Sequence, residues 1–333
     1  MDRNHGNSNH RNSDNQNPLD QTIPLWQVCT DFYFPRRLTI QHEHTKLQYR
    51  FAINNLGEYL GRIPIVYDLT DDNVVGMMAH LRQKGLAPRT INERRSRLHA
   101  LWTWLAKRGH VRLFPTTEPL PEPKRIPRAW SREQLQALFE SIEQEDLPVG
   151  PIPGPLWWGA FIAVAWNTGE RKSALLAIQW QHVELETREI YIPAEDRKGG
   201  SKAADMVYQL WTETVEVLKR LPRVGPLVFP WQKNRTTIYN RYRRILQRAK
   251  LPCDRRSLFH RIRVSHASWV KALGGNATDS LGHSSPETTR RHYEDPRICR
   301  AEAPPLFKPW RQGKSNQDKR EEDDGRRLGD GLG

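Results

Sequence analysis

Apolar side chains recur at three- to five-residue intervals along much of this 333-residue chain, the spacing of helices that bury one stripe. Leu47, Phe51, Leu56 and Leu60 form one such run, and Val74, Met77, Met78 and Leu81 a second. Ile91, Leu98, Leu101, Trp102 and Leu105 form a third, which follows Ala87-Pro88 and stops at Gly109. Proline suits a first helical turn because the N–H it lacks has no partner there. From Leu25 to about Arg112 the pattern predicts three or four helices in a small all-α domain.

The periodicity then breaks. Residues 115–127, P-T-T-E-P-L-P-E-P-K-R-I-P, hold too many prolines for a helix or a central strand and predict an extended linker. Ser131 and Gln134 then make an S-x-x-Q capping box ahead of Leu135, Leu138 and Ile142. Leu156 to Trp166 is almost wholly apolar and reads as a buried helix closed by Asn167, Thr168 and Gly169. Between His182 and Leu210 the pattern shortens to V-E-L, E-I-Y-I-P and M-V-Y-Q-L, which predicts a three-stranded sheet. Helical spacing returns over 212–221, 237–249 and 258–273. The expected fold is therefore mostly α with a small β-sheet (α+β), in two domains. The expected boundaries are a disordered tail over 1–18, a helical domain over 19–114, the linker 115–127, a second domain over 128–310 and a charged, disordered tail over 311–333.

Charge changes the picture more than size does. Fifty-two Lys and Arg against 38 Asp and Glu give a formal charge of +14, with pI near 9.9. Such an excess favours a polyanionic partner, since each neutralised phosphate releases counterions. The polar face of the third helical run, with Arg89, Arg94, Arg95 and Arg97, is the expected DNA contact in the first domain. The apolar stretch 156–166 is too short to span a bilayer, so no membrane association is expected. No basic-then-apolar leader opens the sequence, which points to the cytoplasm rather than secretion. Cys29, Cys253 and Cys299 are too scattered for a zinc site or a disulfide scaffold, and free thiols are expected.

Candidate chemistry concentrates late in the chain. His260 and Arg263 stand three apart in a helical pattern and so project from one face. Leu281-Gly282-His283 then turns into Ser284-Ser285-Pro286-Glu287, an S-x-x-E helix start that places His283 beside anion-favouring backbone amides. Arg290, Arg291 and His292 lead to Tyr293. Far upstream stand Arg171, in T-G-E-R-K-S, and Lys198, ahead of Gly199-Gly200.

In T-G-E-R-K-S-A-L-L-A-I-Q-W, K-G-G-S-K, H-R-I-R and L-G-H-S-S-P-E-T-T-R-R-H-Y, taken in that order, the chain resembles the tyrosine recombinases or phage integrases from about Leu25 to Pro309. The resemblance implies a helical, SAM-like core-binding domain, a catalytic domain and a homo-tetramer working on paired sites in double-stranded DNA, without metal or ATP. It makes Arg171 the first catalytic arginine, Lys198 the hairpin lysine, His260 and Arg263 the H-x-x-R pair, His283 the second histidine and Tyr293 the nucleophile. Arginine forks suit the charge that spreads over the phosphoryl oxygens at the transition state. His260 would assist the phenol, Lys198 would protonate the leaving sugar oxygen, and His283 would donate to a non-bridging oxygen. Lys202 is a rival to Lys198, and Lys202, Arg290 and Arg291 are further expected DNA contacts. Tyr191 and Tyr208 fit strand packing and Tyr239 and Tyr242 a helix surface, while His266 and His292 read as non-catalytic neighbours near phosphate.

Two departures from the family pattern stand out. Ala174 occupies the position, three after the first arginine, where an acidic residue is common, and Gly274-Gly275-Asn276 shortens the stretch between Arg263 and His283. Ile298, Leu306, Phe307 and Trp310, past the nucleophile, could dock on a neighbouring protomer or pack on their own domain. A type IB topoisomerase, or a DNA-binding protein with a silent site, are the alternative readings. The expected location is the cytoplasm, on the nucleoid.

Overall fold

The computed structural model describes residues 18–37, 40, 42–123, 125–198, 203–255 and 257–299. Apart from Pro18 the expected tails fall outside them, as do Lys202, Leu306, Phe307 and Trp310. The chain divides into two compact units, the second beginning at Arg125.

The first unit is helical. A short turn, α1 (Leu25–Gln27), widens into a π-helical stretch over Val28–Tyr33 and is followed by α2 (Glu43–Leu60), α3 (Asp71–Gln83) and α4 (Pro88–Ala106). Pro88 starts α4 as its first-turn proline, and Thr70 caps α3 by accepting from the Asn73 amide. Val74, Met77, Met78 and Leu81 face inward with Ile91, Leu98, Leu101 and Leu105. Helix α2 turns a different stripe inward from the one its apolar spacing suggests. Tyr49, Ala52, Ile53 and Leu56 are buried while Leu47 and Phe51 are exposed, because Tyr49 joins Tyr33, Phe34 and Trp104 in an aromatic knot. The proline-rich segment begins on this unit: Asp71 accepts from both the Thr116 and Thr117 amides, and Asn92 accepts from the Leu120 amide.

The second unit is built around α6 (Gly154–Thr168), which carries no charged residue and buries ten of its fifteen positions. A helix apolar on all sides must be covered on all sides. Helices α5 (Arg132–Glu143), α8 (Thr212–Lys219) and α10 (Phe259–Ala272) pack on it. Trp157, Trp158, Phe161, Phe229, Tyr242 and Phe259 stack at its centre. Tyr242, expected on a helix surface, is fully buried there: its ring lies against Trp158 and Phe259, and the stack outweighs the need to hydrate one hydroxyl. Helix α9 (Arg235–Arg248) is held to α5 by Glu145, which takes Arg241 and Arg248 as partners.

The sheet is antiparallel, β1 (Val183–Glu184), β2 (Glu189–Ile192) and β3 (Met206–Gln209), with Ile190 opposite Tyr208. Its inner positions Ile190, Ile192 and Tyr208 are buried and the alternate ones are not, as a one-sided sheet requires. The β2–β3 connection carries Lys198. A second, smaller core of Ala129, Val264, Ala267, Ala277, Leu281 and Tyr293 lies on the other side of α10, closed by α11 (Ala277–Ser280), α12 (Pro286–Tyr293) and α13 (Pro296–Cys299). Ile298 packs against that core. Helix α10 thus divides two apolar clusters, and its polar side chains stand at their junction.

Candidate active site

Local chain geometry sets where each functional group starts. Helix α6 ends on Gly169, at φ 62°, a left-handed conformation that glycine adopts without the clash a Cβ brings. A Cβ there would also meet the His266 ring at 2.5 Å. The chain reverses at once into α7 (Lys172–Ala177), with Arg171 in its N-cap position. Helix α12 starts one residue later than the S-x-x-E pattern suggests. Ser285, not Ser284, accepts from the Thr288 amide, because Pro286 occupies the first turn, and Glu287 instead pairs with Arg290.

Five of the six catalytic candidates converge. Tyr293 is buried at the last residue of α12, its ring 5.2 Å from that of His260 and 4.8 Å from that of His283. The Arg263 guanidinium carbon lies 5.2 Å from the same ring centre. Arg263, Arg171 and His260 together line an open cleft of about 570 Å³, joined there by Lys172, Arg243 and Arg255. Lys198, the sixth candidate, is exposed, directly before the undescribed residues 199–202. Tyr239 also lines the cleft, under Lys172, and is the nearest rival phenol.

Arg263 is the most confined of these groups, 1% exposed. It donates to the Gly169 carbonyl at 2.6 Å, the Leu281 carbonyl at 3.2 Å and His283 Nε2 at 2.8 Å. A guanidinium only donates, so Nε2 accepts and the His283 proton sits on Nδ1, which donates to Thr289 Oγ1 at 2.8 Å. Burial first, then Arg263 and Arg171, push the His283 pKa down to about 4, in keeping with a neutral ring. His260 is lowered to about 4 by desolvation, with Arg263 and Arg171 adding to it, although its edge is exposed to the cleft. Both imidazoles beside the phenol are therefore neutral near pH 7, and His260 can accept a proton.

The expected nucleic-acid contacts separate into two kinds. Arg89 and Arg291 are exposed. Arg94 donates to Gln48 and covers Phe51, Arg95 Nε donates to the Thr117 carbonyl, and Arg97 lies over Tyr49. Arg290 is exposed but paired with Glu287. Lys202 lies outside the described residues.

His266 is a buried linchpin rather than a phosphate neighbour. Nδ1 bonds the Trp166 carbonyl and Nε2 bonds Ser280 Oγ, each at 2.6 Å. Burial lowers its pKa from 6.5 to about 4, so the unfolded chain takes up the proton first. Stability from neutral His266 is complete above about pH 6.5 and lost as pH falls towards 4, an effect of about 3 kcal/mol. His266→Gln should accordingly lose less stability than the wild type between pH 7 and 4.5 in urea titrations. Equal losses would count against it.

Residues that periodicity did not single out complete the site. Glu170, buried, holds Arg197 at 2.5 Å and lies 3.5 Å from Arg263. Arg197, Tyr208 and the cleft cations Lys172, Arg243 and Arg255 belong to the same surroundings. Among the described residues, no three His, Cys, Asp or Glu side chains gather as a metal set, and Cys29, Cys253 and Cys299 are free thiols.

The sequence model of the phage integrase family matches residues 129–298, more than half of the chain and all five converging groups. The chain belongs to the phage integrase family. Residues 34–109 also match that family's N-terminal SAM-like domain. Tyrosine recombinase XerC of Neisseria meningitidis serogroup C / serotype 2a is 27% identical over 269 residues, 74% of this chain and 84% of that protein. Tyrosine recombinase XerC of Neisseria gonorrhoeae is 28% identical over 165 residues, 47% of this chain, and the alignment spans only about half, 52%, of that relative's length. The fold is similar to that of a chain in the structure of a lambda integrase tetramer bound to a Holliday junction, with TM-score 0.61 and 17% identity over 87% of this chain and 82% of that one. Site-specific DNA recombination is the reaction class of the family. No described helix is long and apolar enough to cross a membrane.

Proposed function

We propose that this recombinase cuts and rejoins double-stranded DNA through a 3′-phosphotyrosine on Tyr293, working as a homo-tetramer on paired sites in the cytoplasm, on the nucleoid. The observation that carries this reading is the buried Tyr293 ring between His260 and His283, with Arg263 against it, at a cleft lined by cations. The tetramer rests on the likeness to the lambda integrase assembly. Both units contribute to DNA binding: 19–114 as the core-binding domain, through Arg89 and its neighbours on α4, and 128–310 as the catalytic domain, through the cleft and Arg291.

In the forward step the Tyr293 oxygen attacks phosphorus and its proton passes to His260, a new O–P bond forms and the bond from phosphorus to the 5′ oxygen breaks. Lys198 gives that oxygen a proton, because an alkoxide is a poor leaving group. Arg171 and Arg263 hold the non-bridging oxygens, where charge accumulates. For His283 to donate to a non-bridging oxygen, Arg263 must release its Nε2 and that nitrogen must carry a proton, which a phosphate anion beside it favours. The ester preserves the phosphodiester's bond energy, so a 5′ hydroxyl from another strand reverses the step without ATP.

Strand exchange between two duplexes carrying repeats taken from the DNA flanking the gene, assayed in EDTA, tests the reading. Recombinant product confined to substrates with the repeat is the expected result. Relaxation of a supercoiled plasmid lacking any repeat, with no strand exchange, would make the chain a type IB topoisomerase instead.

A further inference from the structure

We infer that Glu170 is a positioning residue which links Arg171, Arg263 and His283 to the segment bearing Lys198. The inference rests on the recombinase reading above. The Glu170 side chain is fully buried. Oε1 accepts from Arg197 Nε at 2.5 Å and from the Tyr208 hydroxyl at 2.8 Å. Oε2 accepts from the Arg171 amide at 3.0 Å and lies 3.5 Å from Arg263 Nη1. Burial alone would raise the carboxyl pKa, but Arg263, Arg197 and these hydrogen bonds hold it below the ordinary value, so the group is charged.

Three of these four partners lead to different catalytic groups. The amide bond fixes where the Arg171 side chain leaves the backbone. The Arg263 contact orients a guanidinium whose other nitrogen reaches His283. Arg197 leads to the third: its remaining nitrogens donate to the Ala204 carbonyl at 2.7 Å and the Leu281 carbonyl at 3.0 Å. Those bonds tie Arg197 to Ala204 and to the turn before His283, and Lys198 is the residue directly after the tie. Gly282 leaves room for it, since a Cβ there would meet the Arg197 guanidinium at 2.6 Å. Ala174, itself buried, offers no carboxylate.

Covalent adduct formation on nicked duplexes tests this. The duplexes are tiled from the DNA flanking the gene and supplemented with a randomised pool, so that the fragment released by cleavage diffuses away and the adduct persists. Glu170→Gln should bind duplex with affinity within about twofold of wild type, yet form adduct ~100-fold more slowly under single turnover, the scale of a misplaced reacting group. Arg197→Gln leaves Glu170 Oε2 beside Arg263 and acts mainly through Lys198. Its slow rate should return to within a few-fold of wild type when the bridging 5′ oxygen is replaced by sulfur, whose thiolate leaves without a proton. Glu170→Gln should recover only in part, because Arg263 and His283 are also displaced. A merely structural role would lower the Tm of Glu170→Gln while leaving its rate constant within about threefold of wild type, and that result, or equal slowing of Arg197→Gln on both substrates, would overturn the inference. The Arg197→Gln comparison stands even if Glu170→Gln fails to fold. Absence of any adduct with the wild type would instead defeat the recombinase reading itself.

Discussion

Tyr293→Phe is expected to bind DNA as the wild type does and to form no detectable covalent adduct, a loss on the order of 10⁶-fold, as when an enzyme loses its nucleophile. The substitution is unusually clean here. The Tyr293 ring is part of the small core with Val264, Ala267 and Leu281, and its backbone carbonyl accepts from Ser268 Oγ. Phenylalanine keeps that packing and that hydrogen bond, so thermal stability should change little. Its adduct yield then reports the hydroxyl and not the fold. Denaturing gel shift of nicked duplexes reads it. An adduct persisting in the variant would transfer the nucleophile to another phenol, with Tyr239 in the cleft the first to examine.

Lys198→Ala should slow adduct formation by about 10²- to 10⁴-fold on ordinary DNA, the range over which a positioned proton donor acts. Replacing the bridging 5′ oxygen by sulfur should restore the rate to within a few-fold, since the departing thiolate needs no proton. Lys202→Ala should leave the ordinary rate within about threefold. If Lys202→Ala shows the slow, sulfur-rescued behaviour and Lys198→Ala does not, the general acid is Lys202. Slowing by Lys198→Ala that sulfur does not relieve would assign that lysine to binding the phosphate. The two results separate proton delivery from charge neutralisation, which a rate on ordinary DNA alone does not.

What the sequence revealed and what it hid follow from the range of the forces involved. Helices α3 and α4 were legible because their apolar spacing matches their buried faces, and α6 because it is apolar on every side, while the strand pattern foretold a three-stranded sheet. The inward stripe of α2 was not, since Tyr49 turns inward to meet Tyr33 and Trp104, residues distant in sequence. The same holds for Tyr242, whose amphipathic neighbourhood hides a stacked position between Trp158 and Phe259. Motif order picked out the residues that gather around Tyr293. It could not disclose that His283 Nε2 is engaged by Arg263, a contact across twenty residues. Glu170 lay in plain view within T-G-E-R, yet its partners Arg197 and Tyr208 stand 27 and 38 residues away, and only folding brings them to one carboxylate.

The proposed function turns on one step, the esterification of a tyrosine at the end of α12 to a 3′ phosphate without help from a metal. The most direct measurement is to trap the adduct on a nicked duplex in EDTA, digest it with nuclease and trypsin, and locate the nucleotide by mass spectrometry. Cleavage after Arg291 and Arg297 releases residues 292–297, whose single tyrosine is Tyr293. The account predicts that the nucleotide is on that peptide, joined through a 3′ phosphate, and that the released strand carries a 5′ hydroxyl. A nucleotide on any other peptide, a 5′ phosphate linkage, or an adduct that forms only when a divalent metal is supplied would contradict it.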